Sequence, residues 1–244
     1  MAKFKEKFKF YAGYVWQLIK DALPAAIMYV CAGSILMMAA IKVKGTDVRF
    51  KDSAMVWSVI CLLAAAGYNA LISWASGGQQ YEMLVSGNVR RRTEQMYGEG
   101  YKISKHKVAK EYRVWKGFVV GGLMSVFSII VAIVWGVRSA DINARVVEGK
   151  IALTETAGLL LSGWSVMPIY YANSTGSNIS YFVCLAFSLI PIAVTVAFYI
   201  GGAYARRNKR LREQQIADKA AEKSAQPKKI NYGGLPGTKP KKKK

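Results

Sequence analysis

The sequence predicts an all-α, polytopic membrane protein with four transmembrane helices, and three observations predict it. Of the 244 residues, 52% are hydrophobic, yet the formal net charge is +21. The two properties are segregated along the chain. Long apolar runs carry almost no charge, while Lys and Arg lie between and after them. Membrane spans with basic flanks have this pattern; a soluble nucleic-acid-binding domain scatters its charges over the fold. Finally, each of the four clear runs is long enough, at about 1.5 Å per residue, to cross about 30 Å of hydrocarbon.

Residues 1–22 alternate Lys3, Lys5, Lys7 and Lys9 with Phe4, Phe8 and Phe10, then place Tyr11, Tyr14, Val15, Leu18 and Ile19 at helical spacing. They read as a basic amphipathic cytoplasmic segment lying in the headgroup layer, or as a positive flank for the first span. The four-helix transmembrane domain covers 23–205. Its first span is 23–41, opening at Pro24, where a missing N–H costs nothing. It lacks the short apolar core and cleavage site of a signal peptide. A polar turn at 42–53 leads to the second span, 54–74. Residues 75–114 form a polar cytoplasmic loop with Gly77-Gly78, Arg90-Arg91-Arg92 and a basic stretch from 101 to 113. The third span is 115–137. The fourth, 181–205, contains Pro191 and is expected to kink there.

Between the last two spans lies an outer loop, 138–180. Residues 142–147 and 150–153 are expected to pair as a short hairpin around Glu148-Gly149. Residues 157–172 are apolar but only about 16 long and include Pro168, between a short fifth span, a re-entrant piece and an interfacial helix. Charge arbitrates. With four spans, the amino end, the 75–114 loop and the 206–244 tail share one side and hold 27 of the 35 Lys and Arg. The positive-inside rule makes that side the cytoplasm, so both termini face in and 157–172 lies at, or dips into, the outer surface. The expected location is the plasma (inner) membrane. The basic tail reads as helical from Arg206 and disordered from about 226, where Pro and Gly interrupt a polar run.

Asn69 is the strongly polar side chain inside a span, and a buried amide seeks a partner on another helix. Lys116 sits at a span end, from which it can snorkel to the interface. Small residues recur at four-residue spacing: Gly117, Gly121 and Ser125 on the third span, Ala197, Gly201 and Ala205 on the fourth. That spacing lets helix backbones approach closely. The three cysteines, Cys31, Cys61 and Cys184, lie far apart in apolar runs and read as packing residues. His106 stands among Lys105, Lys107 and Lys110 with no nucleophile motif beside it. The sequence therefore predicts no enzyme: no catalytic residue, no metal site and no cofactor.

Arg90, Arg91, Arg92, Lys105, Lys107, Lys110, Arg206, Arg207, Lys209 and Arg210 are candidates for docking anionic lipid headgroups or a partner, at about 1 kcal/mol per basic residue near the surface. Other membrane subunits, or copies of the chain, are the expected partners; nucleic acid bound through the tail is the less favoured one. The composition points first to a non-enzymatic accessory or scaffold subunit of a membrane complex. The alternative is a small oligomeric channel or transporter lined by Asn69 and hydroxyls such as Ser58, Ser125, Ser128, Ser188 and Thr195. Asn173-Ser174-Thr175 and Asn178-Ile179-Ser180 match a glycosylation tripeptide that also arises often by chance.

Overall fold

The computed structural model describes residues 2–44, 47–87, 91, 95 and 111–225. Arg90, Arg92, Lys105, His106, Lys107 and Lys110, and the tail from residue 226, lie outside them. Among the described residues, four helices are long and apolar enough to cross a membrane, within Tyr11–Ala40, Ala54–Ser86, Val114–Val137 and Tyr181–Ser224. The chain divides into two units, 1–206 and 207–244.

Helix α1, Ala2–Ala40, is continuous and carries Pro24 inside it. Residues 2–22 are thus one helix with the first span. The register explains why: Leu18, Ala22 and Ala25 recur at i, i+4 and i+7 and are buried, the last two in a cluster with Met124. A hairpin follows, β1 Ile41–Lys44 paired antiparallel with β2 Asp47–Phe50, Ile41 opposite Phe50. The hairpin expected at 142–153 is absent. Residues 139–147 instead wind into a helix, and the strands form where the sequence suggests only a turn. The β-branched pair Ile41 and Val43 alternates with lysines there, a period-two pattern in a segment too short to weigh alone.

Helix α2, Ala54–Ser86, runs well past the expected end of its span and stops at Gly87, whose φ of 61° closes it in the left-handed conformation that glycine adopts freely. Gly77-Gly78 lies inside this helix, not in a loop. Helix α3 is Val114–Val137 and α4 is Ser139–Val147. Helix α5, Leu153–Ser174, is interrupted by non-helical backbone at Ser162 (φ −139°, ψ 21°). A 3-10 turn at Tyr181–Val183, a single turn α6 Cys184–Phe187 and helix α7 Leu189–Ala225 complete the described chain. The last span is interrupted at Ser188, between α6 and α7; Pro191 stands in the first turn of α7 and has no N–H for the carbonyl of Phe187, four residues back, where α6 ends.

Helix α5 folds back on itself. Gly158 and Tyr170 both touch the indole of Trp135, the first with space for no Cβ (2.6 Å to the ring) and the second at 5.6 Å between ring centroids. Twelve residues of straight helix would separate them by about 18 Å. Between these two contacts the chain reaches deeper: Trp164 lies tilted against Tyr29 at 4.8 Å between ring centroids, Gly163 meets the backbone of Gly33, and Ser165 meets Ser128. Ser128 lies seven residues before Trp135 on α3, so the elbow sits about 10 Å further into the bundle. Tyr170 and Tyr171 then return to Phe50 of the hairpin, at 5.3 and 5.8 Å. Both ends of α5 therefore lie at the end of the bundle that carries the β-hairpin. Its aromatic and small side chains fill the core there, with Trp164, Met167 and Tyr170 buried against Tyr29, Leu36 and Tyr181.

Candidate functional site: a polar seam through the bundle

Buried polar side chains collect in four groups along the bundle. The group farthest from the β-hairpin centres on Gln80. Its Oε1 accepts from Lys116 Nζ at 3.1 Å and from the Tyr199 hydroxyl at 2.7 Å; its Nε2 donates to Asp21 at 3.3 Å and Ser76 at 3.1 Å. Lys116 Nζ also donates to the Glu111 carbonyl at 2.6 Å. Lys116 is only 2% exposed, so its ammonium is held inside the bundle instead of snorkelling outward. Asp21 and Glu111 both act on it electrostatically. Asp21, Ser73, Ser76, Gln80, Lys116 and Thr195 face a cavity of about 20 Å³, room for a single water.

One step along, Asn69 joins three helices. Its Nδ2 donates to Thr195 at 3.1 Å, and to Tyr29 Oη and the Pro191 carbonyl at 3.4 Å each. Ser73 and Thr195 donate to its Oδ1 at 3.0 and 3.2 Å. The third group is a serine cluster. Ser125 donates to the Ser188 carbonyl at 2.7 Å, the Ser128 and Ser188 hydroxyls lie 2.7 Å apart, and Ser128 donates to Ser165 at 2.8 Å. Ser165 in turn donates to the Ser162 carbonyl at 2.9 Å, filling a hydrogen bond that the broken helix leaves open.

The fourth group lies at the hairpin end. Arg145 of α4 donates through Nε and Nη2 to Glu155 Oε1 at 2.8 and 2.5 Å, while Glu155 Oε2 accepts the Ala152 N–H at 3.2 Å and caps α5. Asn173 donates to Asn143 and to the Ile179 carbonyl at 2.9 and 2.8 Å, holding the 175–180 turn; this amide is buried and committed. The hydroxyls of Ser162, Tyr170 and Tyr181 are enclosed.

Asn69 and the hydroxyls Ser125, Ser128, Ser188 and Thr195 are brought into one seam; Ser58 instead bonds back to the Ala54 carbonyl of its own helix at 2.8 Å. Gly117, Gly121 and Ser125 pack α3 onto α7: a Cβ on Gly121 would stand 2.7 Å from Ile192 Cα. On α7 the packing face runs through Thr195, Tyr199 and Gly202. Ala197 is exposed, Ala205 half-buried, and Gly201 meets the Trp74 ring. Arg206 is engaged, its Nη2 donating to both Glu82 oxygens at 2.7 and 2.6 Å. Arg91, Arg207 and Lys209 are exposed, and Lys209 lies 4.0 Å from Glu213 along its own helix. Asp21, Gln80 and Glu155 escape the sequence reading because each sits in a stretch that hydropathy assigns to a flank or loop. The helical offset from Asn69 through Ser73 to Ser76 and Gln80 was the available signal.

The chain matches no protein-family model, no curated protein and no solved structure.

Proposed function

We propose that the chain is a small carrier or channel protein and that the polar seam is its path. The observation that carries this reading is a set of ionisable and amide side chains, the buried Lys116, Gln80 and Asn69 with the half-buried Asp21, inside helices otherwise built for hydrocarbon. Such groups cost several kcal/mol to hold there and mark permeation or coupling paths by default. The broken helix α5 supports it. Interrupted helices whose break lies deep in a bundle supply polar backbone where a solute passes. The proposed location is the plasma (inner) membrane, with both termini and the 87–113 segment in the cytoplasm, supported by the distribution of Lys and Arg.

Flux of small ions into proteoliposomes holding the purified full chain tests the reading. Expected is uptake above empty liposomes that Lys116→Met and Ser165→Leu each reduce by about tenfold while both variants stay monodisperse. Uptake no faster than in empty liposomes overturns it.

A second reading is the non-enzymatic accessory or scaffold subunit, docking anionic lipid or a partner through Arg91, Arg207, Lys209 and Arg210. Its specific support is that most seam donors and acceptors satisfy one another within one chain, as in a network that fixes a fold. Its test is copurification in mild detergent: a companion chain at constant ratio supports it, and a lone protein that transports ions removes it.

A further inference from the structure

We infer that the cleft between the β-hairpin and the ends of α4 and α5 binds a small zwitterion with one ammonium and one carboxylate, of the free α-amino acid class. The cleft holds about 410 Å³, within the size range of small-molecule sites. Three elements wall it: Arg49, Phe50 and Asp52 from the hairpin and the turn after it, residues 146–149 from the end of α4, and Tyr171, Ser174 and Thr175 from the end of α5. These walls are fixed to one another. The Lys51 N–H donates to the Ala40 carbonyl at 2.9 Å, which closes the hairpin onto α1. Phe50 packs edge-on against Tyr170 and Tyr171, and the Arg145–Glu155 pair ties α4 to α5. A cleft formed in advance spares a ligand the entropy of ordering it.

The polarity of the walls names the ligand. Ser174 Oγ donates to the Tyr171 carbonyl at 2.6 Å, and Thr175 Oγ1 donates to the Ala172 carbonyl at 2.7 Å. A hydroxyl has one proton, so both oxygens can only accept from a guest. The last turns of α4 and α5 also line this side, and a helix C-terminus carries partial negative charge. The α4–α5 wall therefore favours a positively charged donor. The hairpin wall supplies Arg49, whose planar fork matches a carboxylate. Arg49 and Asp52 line the same cleft, yet among the described residues neither closes an ion pair or a side-chain hydrogen bond. Glu148 is taken by Lys150 at 3.0 Å, both of them exposed. A simple anion would meet Asp52 and the two helix ends, and a simple cation would meet Arg49. A ligand with both charges satisfies both walls. Phe50, Tyr171 and Val147 offer apolar surface to its side chain. The site goes beyond the transport reading and stands without it, since none of its walls belongs to the Lys116 or Asn69 groups.

The test is calorimetric titration of the full chain in detergent with glycine, leucine, phenylalanine, glutamate and lysine at millimolar concentrations. The tightest of them is then compared with its decarboxylated amine and its deaminated acid. Expected is saturable binding of at least one amino acid, with both analogues weaker by at least about tenfold. Arg49→Gln is expected to weaken the amino acid by about tenfold while leaving the amine unchanged. Asp52→Asn is expected to weaken the amino acid and the amine and to spare the acid. Both positions are exposed, so the variants are expected to melt with the wild type, and either one suffices should the other not fold. Binding of none of the five amino acids overturns the proposal. So does an amine or acid that binds as tightly as the amino acid, or wild-type affinity in both variants. Phosphoethanolamine bound more tightly than all five overturns it too, and reassigns the cleft to a lipid headgroup.

Discussion

Gly77 of α2 and Tyr199 of α7 cross backbone to backbone: a Cβ on residue 77 would stand 2.0 Å from the Tyr199 carbonyl oxygen. Gly202 mirrors it one turn along, where a Cβ would stand 2.0 Å from the Trp74 carbonyl oxygen. The obstructing atoms are main chain, so no rotamer change relieves the clash. Gly77→Ala is expected to destabilise the protein by about 1–3 kcal/mol or more, as overpacking does. Gly67 meets nothing within 4 Å, and Gly67→Ala is expected to be neutral or stabilising by up to about 1 kcal/mol. Melting temperatures of the two variants in one detergent check the pair; equal losses would remove the claimed crossing.

Lys116→Met is expected to cost about 3–5 kcal/mol, because it keeps the stem's packing while stripping the counter-charge from buried acceptors. If Asp21 is the main charge it compensates, Asp21→Asn added to Lys116→Met restores part of the loss. A double-mutant cycle on unfolding midpoints measures the coupling; additive losses would break the link.

Asn69→Leu leaves the Pro191 carbonyl and the Thr195 hydroxyl short of a donor or acceptor. The expected cost is about 1–2 kcal/mol, the range of interhelical hydrogen bonds in membranes. Asn69→Asp is expected to be worse, since it removes the Nδ2 donor and adds a buried charge. Denaturant titration in mixed micelles ranks the two, and a harmless Asn69→Asp would contradict the assignment.

Tyr112 stacks on Tyr199 at 5.0 Å between ring centroids, and burial raises its pKa above the ordinary 10.0. The folded state therefore holds this proton more tightly than the unfolded state. The associated stability is complete below pH 10 and is lost as pH climbs from 10 through the folded value. Melting temperatures of wild type and Tyr112→Phe are expected to run parallel at neutral pH and to diverge above about pH 10, wild type falling more steeply.

Because both ends of α5 lie at the hairpin end, single cysteines placed at Leu153 and Ser177 in a cysteine-free background are expected to react with an impermeant thiol reagent from the same side of the membrane. Labelling of the two from opposite sides would show that α5 spans.

The four spans were legible as uninterrupted apolar runs, because hydrocarbon demands length and apolarity that no loop supplies. Residues 157–172 were ambiguous for a physical reason: Ser162, Gly163 and Ser165 interrupt the run where the chain turns, and hydropathy averages over the turn. The β-hairpin was placed in the wrong loop because Ile142 and Val146 suit a strand as well as they suit the buried face of α4. Asn69, Gly117, Gly121 and Ser125 were visible because each is anomalous within its own span. Gln80 and Asp21 were not, since a polar residue near a helix end carries no anomaly until a partner from another helix is in place. Lys116 was visible, but its direction was not; whether a lysine reaches outward or inward depends on what its neighbours leave room for.

Ser162 and its flanking half-helices also bear on biogenesis. Neither arm of α5 is long enough to be captured by the insertion machinery as an independent span, and the helix buries its surface chiefly against α1, with α2, α3 and α4 beside it. The segment must therefore be threaded into a bundle that has already assembled around it, a late step in maturation. A chain truncated just before residue 153 is then expected to integrate its first three spans normally but to lack a finished interior, and to be recognised by membrane quality control.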